Sequence, residues 1–355
     1  MLGDTSFLLP KVTHITLDSM CNDRQTMLKK LGYNSFLNET KNQISKLKYS
    51  RWTRFRKLTN DYEFPYDSRK IKRPISRAYF KLMEMIVDYN IDLNCNTLHL
   101  AEAPGGFIES TIYFKNKYKF INNRHYTFSI LKQDEDTPTY HKKITDDSSV
   151  FILSNKINKG DLYEIPNMKY LIKTLLPKKI KFITCDGGFT ENCDFAAKEE
   201  LHHKLIFHEI ITSLFILHDD GVLIVKIFDI FTELTFDFIY ILSFLFGETY
   251  ICKPLTSRPT NSEKYIVCKK YDKSKFDINI QNFIKHMCSS DVNKYSSFVY
   301  KNDIKQGFTD SVKNINEILM TQQISTIKAI LAIEACDMKT SRSGENIKKW
   351  VAKYY

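Results

Sequence analysis

A chain of 355 residues, 43% of them hydrophobic and carrying a formal net charge of +11, can bury one large core or two domains and suits a polyanionic partner. Its most apolar stretch, Phe238 to Phe246, is nine residues long, far short of the roughly 20 that a membrane-spanning helix needs. No secretory leader opens the sequence and the eight cysteines form no CxxC pair, so a soluble, cytoplasmic protein with reduced thiols, no membrane contact and no metal is expected.

Residues 1–73 form a basic, irregularly patterned region with one helix expected at Asn38–Leu47. Between residues 41 and 81 stand thirteen Lys and Arg against three acids, Asp61, Glu63 and Asp67. The block is interleaved with Trp52, Phe55, Tyr62, Phe64 and Tyr66, a mixture that suits phosphate contacts and base stacking. A merely solvated basic face is the alternative. Arg69, Lys70, Lys72 and Arg73 are its densest run.

Pro74 opens a second helix, in which Ile75, Ala78, Tyr79, Leu82, Met83 and Ile86 recur at three and four residues. From Thr97 the pattern becomes strand, glycine turn, helix. Strands are expected at Thr97–Ala101, Tyr126–Ile130, Ile180–Cys185, Val222–Lys226, Thr249–Lys253 and Tyr265–Cys268, with helices at Lys198–Leu217 and Thr232–Phe246. Such alternation predicts an α/β domain over residues 74–275, a mainly parallel sheet with helices on both faces. After about Ile278 the strands stop, and amphipathic helices such as Ile315–Cys336 form an extension over residues 276–355. His202, His203 and His208 share one helix without a matching ligand spacing, and read as ordinary surface or core residues.

Four segments carry chemistry. In Leu98–Phe107 a strand ends in Ala103-Pro104-Gly105-Gly106, a turn whose glycines let a ligand approach the backbone. The segment does not fit GxGxxG, which argues against a dinucleotide site. Phe182–Phe189 is a second apolar strand, ending in Asp186-Gly-Gly. Val222–Phe228 leads four apolar residues into Lys226, an ammonium group that is costly to bury unless paired or functional. Thr256–Tyr265 is a polar loop, containing Arg258 and Glu263, that runs straight into a strand.

Together these segments resemble the FtsJ-like RNA ribose 2′-O-methyltransferases, and most of all the cap-specific branch of eukaryotes and large cytoplasmic DNA viruses. The likeness runs in order through Arg77–Lys81, Pro104-Gly-Gly, Asp186-Gly-Gly, Val225-Lys226 and Ser257–Glu263, spanning about residues 74 to 270. It implies a Rossmann-like methyltransferase sheet, S-adenosylmethionine as cofactor and a catalytic tetrad of Lys81, Asp186, Lys226 and Glu263. It further implies that Ala103, Pro104, Gly105, Gly106 and Phe107 line the cofactor together with Asp186, and that Asp161 holds the adenine amino group. The acceptor would be the first transcribed nucleotide of capped messenger RNA, contacted by the basic run and Arg258, with other capping or transcription proteins as partners. One departure is visible: His99 stands where many relatives carry Asp.

A ribose hydroxyl must lose its proton as it attacks the sulfonium methyl. Lys226 could act as base if its pKa were depressed, a direction in which Lys81 acts and against which Asp186 and Glu263 act; an electrostatic guide is the other role. A ribosomal or transfer RNA methyltransferase shares the tetrad but needs no cap pocket. A non-catalytic RNA-binding protein on the same fold would leave Lys226 unexplained.

Overall fold

The computed structural model describes residues 5–20, 30–65, 71–120, 123–131, 137–188, 198–288, 297–336 and 344–355. Its strands are β1 (Ser6–Leu8), β2 (Leu17–Met20), β3 (Asn96–Leu100), β4 (His125–Phe128), β5 (Val150–Ile152), β6 (Ile180–Cys185), β7 (Val222–Ile227), β8 (Phe246–Cys252), β9 (Lys264–Tyr271) and β10 (Ser297–Val299). Its helices are α1 (Phe36–Ile44), α2 (Tyr49–Leu58), α3 (Ala78–Asp88), α4 (Gly106–Tyr118), α5 (Lys142–Thr145), α6 (Ile165–Leu175), α7 (Lys198–Ile216), α8 (Glu233–Leu245), α9 (Ile278–Cys288), α10 (Gln306–Ala335) and α11 (Gly344–Tyr354).

The main sheet has the order β1-β8-β9-β7-β6-β3-β4-β5. Strands β3 to β7 are parallel, whereas β9, β8 and β1 add antiparallel pairings at one side. Helices cover both faces of the parallel part, so β6 and β7 are apolar almost throughout: Ile180, Phe182, Ile183, Leu223, Ile224 and Val225 are fully buried. After β3 the chain steps outward through β4 and β5, then returns to place β6 on the other side of β3. That reversal leaves a crevice beyond the carboxyl ends of β3 and β6, where open α/β sheets bind ligands.

Helix α3 begins at Ala78 rather than Pro74. The Ile75 amide is taken instead by Glu109 Oε2 of α4, at 2.6 Å, and residues 75–77 enter the helix through a bend and turn. Strand β10 corrects the expectation that strands end near Ile278. It pairs with β2 in a small second sheet, anchored by Asp237 Oδ2, which accepts from Ser297 Oγ at 2.7 Å and Val299 N at 3.0 Å. Neither strand, of four and three residues, carries enough alternation to be read from the sequence.

Both flanking regions lean on the central domain. The register Phe7↔Ile251 makes β1 part of the main sheet. Trp52 and Phe55 of α2 pack with Ile44, Ile327 and Ile330, joining the basic region to α10. Trp350 of α11 meets Phe80 of α3 edge-on at 5.5 Å. Among the described residues no helix is long and apolar enough to cross a membrane.

Gly160, at φ +70°, lies so close to the end of β4 that a Cβ would collide with the Ser129 carbonyl. Gly160→Ala therefore meets both a left-handed backbone and a main-chain clash, and should destabilise the fold by about 2–4 kcal/mol. Urea unfolding checks this; an unshifted midpoint would mean that residues 153–161 can withdraw from β4 at no cost.

Candidate active site

Sheet register brings the charged residues together. Cys185 pairs with Val225 across β6 and β7, so Asp186 and Lys226, one residue later on each strand, are neighbours at the rim. Lys226 lies opposite Tyr265 on β9, and Glu263 is two residues before Tyr265, on the same side of the strand by the two-residue repeat. Lys81 reaches the same point from α3.

The result is two nearly buried ion pairs. Lys81 Nζ lies 2.6 Å from Glu263 Oε1, with side chains 13% and 14% exposed. Lys226 Nζ lies 3.3 Å from Asp186 Oδ1, with side chains 11% and 14% exposed, and donates to the Asp186 carbonyl at 2.6 Å. The Tyr265 hydroxyl joins the pairs, donating to Asp186 Oδ1 at 3.0 Å and to Glu263 Oε1 at 3.4 Å. Ser257 Oγ adds a bond to Glu263 Oε1 at 3.0 Å.

Burial acts against the charge on Lys226, but Asp186, then Glu263 and Glu209, outweigh it and raise its pKa. In this geometry the surrounding carboxylates favour the charged, ammonium form of Lys226. Burial likewise opposes the charge on Glu263, and Lys81 and Lys226 overcome it, holding the carboxyl well below its usual range.

A second set of contacts fixes the loop that carries Glu263. Glu84, almost one turn beyond Lys81, accepts from Leu255 N at 2.6 Å and Thr256 N at 2.9 Å. Arg77 donates to the Thr256 and Glu63 carbonyls. Trp350 Nε1 completes Glu84 at 3.0 Å, and burial pushes that carboxyl up to about 7. Beneath Asp186, Glu209 Oε1 accepts from Gly187 N at 3.1 Å. None of these residues was singled out from the sequence for this role. The signal existed for two: Arg77 and Glu84 flank Lys81 at helical spacing.

Beside the tetrad, in the crevice between β3 and β6, lies a cavity of about 180 Å³ whose walls include Ala103, Ser129, Ile130, Asp161, Leu162 and Asp186. Gly188 joins its lining, and a Cβ there would sit 3.1 Å from Lys226 Nζ. Of the expected cofactor residues, Ala103, Asp161 and Asp186 thus reach the cavity. Pro104, Gly105 and Gly106 form the turn behind it, where Gly106 lets α3 and α4 approach so closely that a Cβ would sit 3.1 Å from Tyr79 N. Phe107 lies behind that turn: its ring is fully buried against Tyr265, and its amide is taken by Glu102 Oε1 at 2.6 Å. His99 bonds Thr97 and Thr184 inside the sheet, at 2.9 and 2.7 Å, and is absent from the cavity wall.

Arg258 has a protein partner. Its guanidinium forms a fork on Glu63, with contacts of 2.7 to 3.2 Å, and locks the 256–263 loop to the residues before α3. Lys41, counted in the basic block, is buried against Asp229 at 3.3 Å. Lys72 and Arg73 are exposed just before α3. Arg69 and Lys70 lie outside the described residues. The three histidines of α7 are core residues, their rings bonded to Lys198 O, Thr232 Oγ1 and Lys204 O.

A family model described as FtsJ-like methyltransferase matches residues 74–271. The mouse protein named cap-specific mRNA (nucleoside-2′-O-)-methyltransferase 2 is 27% identical over 263 residues, covering 68% of this chain and 34% of its own. Its Drosophila melanogaster namesake is 29% identical over 216 residues, 58% of this chain and 31% of its own. An African swine fever virus protein named as a probable methyltransferase is 30% identical over 229 residues, 61% of this chain and 53% of its own. The chain thus matches between about a third and about half of the length of these relatives.

Removing the charge of Glu263 leaves the Lys81 ammonium without its ion-pair partner. Glu263→Gln should cost about 3–5 kcal/mol of stability, the range for breaking a buried ion pair. A depressed carboxyl pKa stabilises the fold above its ordinary value of 4.5 and loses that contribution as pH falls toward the folded pKa. The gap between wild type and variant should therefore be full at neutral pH and shrink below 4.5. Chemical unfolding at pH 7 and pH 4 measures it; an equal gap at both would deny Glu263 its charge.

Proposed function

The chain belongs to the FtsJ-like methyltransferase family, and we propose that it methylates a ribose 2′-hydroxyl of RNA, at the first transcribed nucleotide of a capped 5′ end. The observation that carries this reading is the pair of lysine–carboxylate contacts at 2.6 and 3.3 Å, set at the rim of a ligand-sized cavity. The residues of that cavity fit S-adenosylmethionine. Ile130, Pro138 and Leu162 offer apolar walls for a flat base, Asp161 a carboxylate acceptor for an amino group, and Asp186 a negative charge toward a cationic centre. When bound, this cofactor supplies a sulfonium methyl group open to attack by an oxygen nucleophile.

The chain's own residues then have distinct parts. The Lys226 ammonium orients the ribose hydroxyl by hydrogen bonding and stabilises negative charge on its oxygen, while the hydroxyl proton passes to solvent water. Its charge is maintained by Asp186, which is itself fixed by Tyr265. Lys81 adds a second positive charge, held in place by Glu263. Lys226→Ala should lower the rate of methyl transfer by about 100- to 1,000-fold, the effect of losing one aimed donor, while cofactor affinity by calorimetry stays within a few fold. More than a tenth of the rate surviving would remove Lys226 from the chemistry.

The capped end finds support in a second cavity of about 400 Å³, beside the tetrad loop and lined by Lys41, Tyr49, Trp52, Arg56, Lys198 and Thr260 to Ser262. Cations and rings in one cavity suit a phosphate-linked, positively charged base. Trp52 is 6% exposed and packs with Phe55, whereas Tyr49 is 79% exposed and free to stack. The test uses short RNAs ending in methylguanosine cap, unmethylated cap or triphosphate, followed by nuclease mapping of the methylated ribose. The expected result is preference for the methylated cap, reduced in Tyr49→Ala, with the methyl on the first nucleotide. Equal rates on all three ends would sink the cap assignment, and methylation at internal positions would favour a structural RNA as substrate.

A further inference from the structure

Lys253, the residue that follows β8, is 8% exposed and has no part in the chemistry described above. Its Nζ has three acceptors, and all of them belong to the segment that ends in Glu263: Asn261 O at 2.8 Å, Asn261 Oδ1 at 3.1 Å and Glu263 O at 2.9 Å. An ammonium group has three protons to donate, so every one is used on the same short segment, two on its carbonyls and one on the Asn261 side chain. We propose that Lys253 is a positioning residue of the site: it fixes the Asn261–Glu263 backbone from behind, so that Glu263 meets Lys81 in a single geometry.

The surroundings make this an active constraint and not a filler. The charged groups that face Lys253 are Glu263 of the loop, Lys264 of β9, Asp229 beyond β7 and Lys81 of α3. Asp229 is in turn shared with Lys41 of α1 and Lys264, both at 3.3 Å. From α10 the adjoining small cavity receives Asn316 and Gln323, neither of which is charged. Burial first, and then Lys264, bring the Lys253 pKa down to about 7. Its third proton is therefore present below neutrality and lost above it, so the clamp is complete at pH 6 and short of one hydrogen bond at pH 8.5.

The kinetic arm of the test rests on the methyl-transfer reading, and the second arm does not. In Lys253→Met, kcat should fall about tenfold at pH 6, the loss of a charged hydrogen bond, with KM for RNA unchanged. The ratio of wild-type to variant kcat should shrink toward pH 8.5, with an inflection near 7. In the free protein, hydrogen–deuterium exchange over residues 255–263 should be faster in the variant. Should Lys253→Met fail to fold, Asn261→Ala removes one acceptor, leaves the lysine in place and should shift both readouts in the same direction by less. Unaltered exchange, or a loss of kcat independent of pH, would overturn the positioning role. Faster exchange in the variant beside a wild type that methylates no RNA would overturn the methyl-transfer reading and leave this one standing.

Discussion

One face of α3 holds one loop, and the rest of the site depends on that grip. Arg77 at the helix's N-cap, Lys81 and Glu84 follow one another at four and three residues, and each contacts the stretch from Leu255 to Glu263. Arg77 takes a carbonyl, Glu84 takes two amides and Lys81 takes the carboxylate at the far end. A polar loop beside a sheet would ordinarily expose its amides and carbonyls to water; here they are matched by a helix that must itself be fixed in rotation. Gly106 fixes it, because the close approach of α4 to α3 sets the angle at which all three side chains leave the helix.

Once the loop is held, electrostatics follows from distance. Each lysine of the tetrad has a carboxylate within 3.3 Å or less, and attraction at contact outweighs repulsion between the lysines across the site. The directions of the Lys226 and Glu263 shifts both express that balance. A buried ammonium that stays charged can hold an oxygen and favour its loss of a proton without taking the proton itself. The same charge would repel a cationic ligand, and Asp186, which faces both the cavity and Lys226, separates the two.

Much of this was legible in the sequence because its signals are local. Four apolar residues running into Lys226, and two strands ending in glycine turns, mark strand ends on a buried parallel sheet, and register then does the rest. What could not be read depends on partners distant in the chain. Arg258 resembles a free basic residue until Glu63 is found beneath it. Phe107 borders a ligand-binding turn by sequence, yet its side chain leaves that turn toward the core. The pKa direction of Lys226 depends on whether the nearer charge is Asp186 or Lys81, which composition does not give. Tyr265 stands two residues beyond Glu263 on a strand, but buried tyrosines are common enough that this spacing alone does not mark its hydroxyl.

The bond from Trp350 to Glu84 has a consequence for synthesis. A nascent chain has every motif of the tetrad and every strand of the main sheet outside the ribosome once Tyr271 has emerged. Glu84 still lacks its indole partner then, because Trp350 is made much later. A buried carboxyl with one acceptor site unfilled draws water or an alternative donor, so the carboxylate that holds the Leu255 and Thr256 amides receives its last fixed donor only when α11 docks. The order of translation thereby separates the formation of the fold from the completion of the site, and a protein cut short before Trp350 would keep all its signature residues and lack the last support beneath them.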